Sequence, residues 1–157
     1  MPRARFASSC RLFALALTFA VLLCGEAAAH SHKQKGLEIV HPWCFATSGS
    51  AANTAVVSML VKNGNRRPDR LLRAKASIAG KTELRTGDGM PARGAFVVNG
   101  RSELILRASG ARIVLSSLKR SLEAYDAFHM TLVFEKAGKI EVEVQVEEAP
   151  ATPPPTQ

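Results

Sequence analysis

Two histidines stand one residue apart in "EAAAHSHKQKG", Glu26 to Gly36, in a sequence of 157 residues with four histidines in all. A cut after Ala29 would make His30-Ser31-His32 the amino terminus. The free amine, two deprotonated backbone amides and the imidazole of His32 could then wrap a metal ion in one plane. Four nitrogens in a square suit Cu(II) or Ni(II). The amine is available because its ordinary pKa lies near 8, and a metal can displace its proton. His30 offers a second geometry, in which its amine and ring join another histidine from the fold; His41 and His129 are the candidates. Uncut, or cut one residue to either side, the same stretch is an ordinary polar tail. The residues alone leave both readings open.

Other reactive side chains look structural. His41 precedes Pro42 at a strand end. His129 and Met130 are neighbours in a strand, so they point to opposite faces and do not share one ion. Met59 lies inside a Val-rich strand, which places it in the core. Cys44, between Trp43 and Phe45, reads as a buried apolar side chain. No Ser or Cys is arranged with a base as a nucleophile requires, so the protein is expected not to be an enzyme.

The first 29 residues read as an export signal. Arg3, Arg5 and Arg11 form a positive start, Leu12 to Leu23 ("LFALALTFAVLL") is apolar apart from one Thr, and Ala27-Ala28-Ala29 is a small-residue cleavage pattern. The run is shorter than the roughly 20 residues a spanning helix needs. A lipid anchor at Cys24 is the alternative, and the bulky Leu23 before it fits that poorly. Export implies a periplasmic or secreted protein with no stable membrane insertion after cleavage. Cys10 and Cys24 leave with the signal, and Cys44 alone cannot form an intramolecular disulfide. The formal charge falls from +8 to +6, which suits acidic partners or simple solubility. One Trp, one Tyr and no interleaving of aromatic with basic residues exclude a nucleic-acid motif.

Short strands fill the remainder. "LEIVH" (Leu37 to His41) is stopped by Pro42, and "TAVVSMLVKN" (Thr54 to Asn63) ends in the turn formers "NGNRRPD". Further strands are expected at Arg70 to Ala76, Lys81 to Arg85, Ala95 to Val98, Glu103 to Ala108, Arg112 to Ser117, His129 to Glu135 and Lys139 to Glu147. In the last, Ile140, Val142, Val144 and Val146 alternate with Glu141, Glu143, Gln145 and Glu147, so one face is dry and the other wet. "SLEAYDAF" (Ser121 to Phe128) holds one helical turn at most. The fold class is therefore all-β, an antiparallel sandwich of about eight or nine short strands. The organisation is a signal peptide over 1–29, a flexible tail over 30–36, one domain over 37–148 and a Pro-rich disordered tail over 149–157.

From Leu37 to Glu147 the chain resembles the PCu(A)C family of periplasmic copper chaperones. The residues that carry the resemblance are "HPWCFAT", "GSAANTAVVSMLVKNG", "DRLLRAKASIAGKTELR", "LKRSL" and "FHMTLVFEKAGKIEVEVQV". The resemblance implies a cupredoxin-like sandwich, a non-enzymatic role in copper homeostasis, and a copper-receiving or copper-donating protein as partner. It also implies a Cu(I) site of His and Met side chains, and here the pattern departs. The first His position is Arg85, the His-x-Met positions are Arg112 and Val114, and a further Met position is Ser116. Met90, in "GDGMPARG", is the candidate for the remaining Met. Guanidinium has no lone pair and stays protonated. The usual site is therefore expected to be degenerate, with any copper held by His30 and His32, helped by Met90. The alternative is a metal-free interaction scaffold with a basic docking face at Arg85 and Arg112.

Overall fold

In a computed structural model, residues 31–48, 53–92 and 94–150 are described; they form ten strands and no α-helix. The strands are β1 (Ser31–Gln34), β2 (Leu37–Phe45), β3 (Thr54–Asn63), β4 (Asp69–Ala76), β5 (Ala79–Arg85), β6 (Phe96–Val98), β7 (Ser102–Leu106), β8 (Arg112–Leu118), β9 (Ala127–Phe134) and β10 (Gly138–Glu147). Their order across the sheet is β5-β8-β3-β2-β10-β9-β4-β6, with β1 added to β2 and β7 to β3. The first half of β3 pairs with β8 and the second half with β7, so this strand serves both layers as the sheet curls. The signal segment, His30 and residues 151–157 of the expected Pro-rich tail lie outside the described residues.

The core follows from alternation. Ile140, Val142, Val144 and Val146 of β10 are buried, as are Phe128, Met130, Leu132 and Phe134 across the β9 ladder. Met59 and Cys44 join the same core, together with Val57 and Val61 of β3. Burial of each large aliphatic or aromatic side chain contributes about 1.5–3 kcal/mol.

Three expectations change. Strand number is ten rather than eight or nine, and β10 runs parallel to β2 over Gln145–Glu147, so the pairing is not wholly antiparallel. Residues Ser31 to Gln34, expected in a tail, form a hairpin with β2 through the two-residue turn Lys35-Gly36. Both turn residues have positive φ (48° and 79°), as a tight turn matching the strand twist requires. Finally, Pro42 does not stop β2. His41 takes φ 48° and the register to β3 shifts between Val40 and Trp43. At such a bulge proline's missing N–H leaves no ladder bond unmade.

One end of the sandwich is built from four turns locked around the β3–β4 connection. Gly64 N–H donates to the Gly36 carbonyl (2.9 Å), Arg101 N–H to that of Asn65 (2.8 Å), and Asn65 Nδ2 to that of Lys35 (2.9 Å). Buried Asn63 donates through Nδ2 to Arg67 and Val98 carbonyls. Buried Asp69 accepts from the N–H groups of Lys136 and Ala137, both at 2.9 Å, tying in the β9–β10 turn. A Cβ on Gly100 would lie 2.1 Å from the Arg66 carbonyl oxygen, so only glycine fits where these turns meet.

Candidate functional site

Arg85 ends β5 and Arg112 begins β8, and antiparallel pairing makes them direct Cα partners. The two positions picked out separately in the sequence are thus adjacent. Each guanidinium bonds to nearby oxygen atoms. Arg85 donates through Nη1 to the Gly89 carbonyl (3.2 Å) and through Nη2 to Glu83 Oε2 (2.9 Å). Arg112 donates through Nη1 to the carbonyls of Ala108 (2.9 Å) and Gly110 (3.1 Å). Its Nη2 lies 3.2 Å from where a Cβ on Gly89 would sit, so it packs over the β5–β6 loop.

That loop presents Met90, which is 61% exposed. Thr86 N–H donates to the Met90 carbonyl and Gly89 N–H to that of Thr86, each at 2.9 Å. Asp88 accepts from Met90 N–H (3.0 Å) and from the Thr86 hydroxyl. The hydroxyl bond chiefly holds the Asp88 carboxyl below its usual range, with smaller help from Met90 N–H and the charge on Arg112. Glu83 is likewise lowered, first by its bond to Lys81 (Nζ–Oε1 2.8 Å) and then by Arg85. Glu83 and Asp88 were not singled out in the sequence. The alternation Lys81-Thr82-Glu83-Leu84-Arg85 was the available signal, since alternate residues of a strand share a face.

The structure brings Arg85, Arg112 and Met90 into one place, with half-buried Val114 two residues along β8, opposite Glu83. This donor set does not fit a cation. Two guanidiniums offer charge and N–H groups but no electron pair, and one thioether remains. As a docking face for an anion the pair is partly taken up, because Arg85 Nη1 and Nη2 and Arg112 Nη1 already serve carbonyl and carboxylate oxygens, while Arg85 Nε is buried without a partner.

His32 lies elsewhere: β8, β3 and β2 separate β5 from β1 along the sheet. Its Nε2 accepts from the backbone N–H of Glu143 (3.4 Å), while Gln34 Nε2 donates to the Lys139 carbonyl (3.2 Å). Alternate residues of β1 therefore reach β10 with side chains. His129 is exposed on β9 as the Cα partner of Glu143, and buried Met130 faces the other way. His41 pairs with Glu147 (Nε2–Oε1 2.9 Å). Beside it Trp43 stacks edge-on to Phe45, with ring centroids 4.7 Å apart. Cys44 is fully buried, and burial, with a smaller contribution from Glu147, pushes its thiol up to about 12. Among the described residues no three His, Cys, Asp or Glu side chains cluster in a way that could hold a metal.

A cupredoxin-like sandwich with a loop-and-strand site at β5 and β8 defines the class to which comparison with known proteins also leads. Residues 37–146 match the model of the LpqE-like family, described as one of lipoproteins. The chain belongs to this family, which is of the PCuAC type. Among solved structures it is similar to the copper-bound PCuAC domain from PmoF2, at 28% identity and a TM-score of 0.68, over 76% of this chain and 99% of that one. The apo PCuAC domain from PmoF1 gives 24% identity and a TM-score of 0.70, over 76% and 100%. The solution structure of CuI-DR1885 from Deinococcus radiodurans gives 21% and 0.61, over 80% and 85%; these last two speak to the fold. No curated protein matches the chain.

Proposed function

We propose that this is an exported, non-enzymatic copper-handling protein whose inherited strand-and-loop site no longer holds Cu(I), and whose copper is bound by His30-Ser31-His32 after cleavage behind Ala29. Family membership and the similarity to a copper-bound PCuAC domain support copper as cargo. The observation that supports the loss of the inherited site is the Arg85–Arg112 pairing, which puts two guanidiniums without lone pairs side by side, each hydrogen-bonded to oxygen acceptors. Met90 stays with those arginines, away from His32, so its part in a terminal site is dropped. The ring of His32 favours the terminal reading. Its Nε2 is turned to Glu143, which leaves Nδ1, the nitrogen that closes a chelate ring with its own amide. The partner is a protein that gives copper to this one or takes it away.

Titration of the cleaved protein with Cu(II), and with Cu(I) under reducing conditions, tests the proposal. One tight Cu(II) site is expected, lost in His32→Ala and equally lost when one residue is added before His30. If both variants bind like the parent, the terminal site is wrong. A tight Cu(I) site that survives removal of the tail would show that the fold itself still binds. Mass spectrometry of the exported terminus comes first, since lipidation at Cys24 would leave no free amine at His30.

A further inference from the structure

The four locked turns present cations on every side of the β3–β4 hub. Lys35 comes from the β1–β2 turn, Arg66 and Arg67 from the hub, Arg101 from the β6–β7 turn, Lys136 from the β9–β10 turn, and Lys139 from the start of β10. None of these six has an acidic partner at ion-pair distance among the described residues, whereas nearby Lys33 and Lys62 pair with Glu38 and Glu103. Lys136 Nζ donates to the Pro68 carbonyl (2.6 Å), which holds the ammonium at the hub without neutralising it. Asp69, the acid at the centre, is buried with both oxygens occupied by backbone N–H groups. Lys35 reaches across the gap, its Nζ 3.9 Å from where a Cβ on Gly138 would sit. A cleft of about 330 Å³ between Lys35, Arg66, Arg67 and Lys136 opens on this end.

We propose that this end is a docking platform for an anionic membrane surface. All but Lys139 of its cations sit on four turns tied together by hydrogen bonds, backbone to backbone or through Asn65 and Asp69, so they meet a plane together and lose little order on doing so. Protein interfaces draw their energy from buried aromatic and aliphatic anchors. The exposed large apolar side chains here are Phe45, Leu72, Met90, Val97, Ile105 and Tyr125, and none lies on the four turns. Charge without anchors suits lipid headgroups, where each Lys or Arg adds independently and salt screens the sum. Met90 is left free, since β6 carries the chain from its loop to the platform.

Vesicle co-sedimentation of the cleaved protein tests this, read as binding to phosphatidylcholine vesicles containing phosphatidylglycerol relative to phosphatidylcholine alone. The parent is expected to favour anionic vesicles in a salt-sensitive manner. Arg66→Gln/Arg67→Gln/Lys136→Gln should lower that preference roughly a hundredfold. Lys75→Gln/Arg107→Gln/Lys119→Gln, with the same change in net charge on other surfaces, should retain it. Equal binding to both vesicles, equal loss in both triple variants, or indifference to salt overturns the proposal. Binding to immobilised polyglutamate but not to anionic vesicles, abolished by the first triple variant, would make the platform a protein-docking surface and overturn it as well.

Discussion

The imidazole of His32 accepts a hydrogen bond from the backbone N–H of Glu143, and so joins β1 to β10 where those two strands make no ladder of their own. A terminal copper site has to coexist with this arrangement. In an antiparallel pair, adjacent residues point their N–H groups alternately at the partner strand and away from it. Of the amides of Ser31 and His32, one therefore faces β2. Copper coordinated by both amide nitrogens must break that ladder bond. Cu(II) is expected to speed hydrogen exchange in β1 and at Ile39 and Val40, while β9 and the rest of β10 stay protected. Unchanged protection with copper bound would place the ion elsewhere.

Restoring electron pairs at the paired arginines should restore a metal site. The variant Arg85→His/Arg112→His/Val114→Met keeps Met90 and replaces two cations with two neutral ligands and a second thioether. Soft thioethers with imidazoles suit Cu(I). Competition against a Cu(I) chelator should show a single tight equivalent in the variant and none at this place in the parent. A variant that folds normally and still loses every competition would mean that the β5–β6 loop, rather than the substituted side chains, sets the outcome.

Acid should loosen the same loop. The carboxyls of Glu83 and Asp88 are both lowered in the folded protein. Groups of this kind contribute stability that is fully present above their unfolded values, near 4.3 for Glu and 3.9 for Asp, and is lost as pH falls through the folded values. The loop is therefore unaffected by pH changes around neutrality and opens below about pH 4. Backbone chemical shifts of Thr86 to Met90 report it, and Glu83→Gln/Asp88→Asn should remove that pH dependence.

Asp69 anchors the turn platform more strongly than any surface ion pair. Two of the N–H groups it accepts, from Lys136 and Ala137, are nearly seventy positions away in sequence. Asp69→Ala strands those donors and should destabilise the fold by about 3 kcal/mol in urea denaturation. Asp69→Asn keeps one oxygen but turns an amide towards a donor, so its loss should be smaller. Equal losses in the two variants would show that volume, not hydrogen bonding, matters there.

Much of this fold is legible where one face is dry. The span of β3 is the one its residues suggest, and the alternation along β10 names its buried side correctly. β1 is illegible because "SHKQ" has no apolar period; its pairing comes from the positive-φ turn at Lys35-Gly36. β2 continues through Pro42 because a bulge removes the demand for proline's N–H. Periodicity assigns a residue to a face and leaves its neighbouring strand open. The arginines could thus be suspected one at a time, and only register shows them side by side, already bonded to carbonyls.

Cys44 closes the set of groups that could react. It is fully buried on β2 next to exposed Phe45, and its thiol is pushed up to about 12. The thiolate is the reactive form, so at pH 8 only about one molecule in ten thousand carries it in the folded state. A thiol-specific disulfide reagent should leave the native protein untouched over hours. Unfolding in urea returns the thiol to its ordinary value near 8.5 and should give full labelling within minutes. Denaturant-dependent labelling should therefore follow global unfolding. Rapid labelling of native protein at neutral pH would instead reveal a local opening of the core around Cys44, where β2 and β10 pair over three residues.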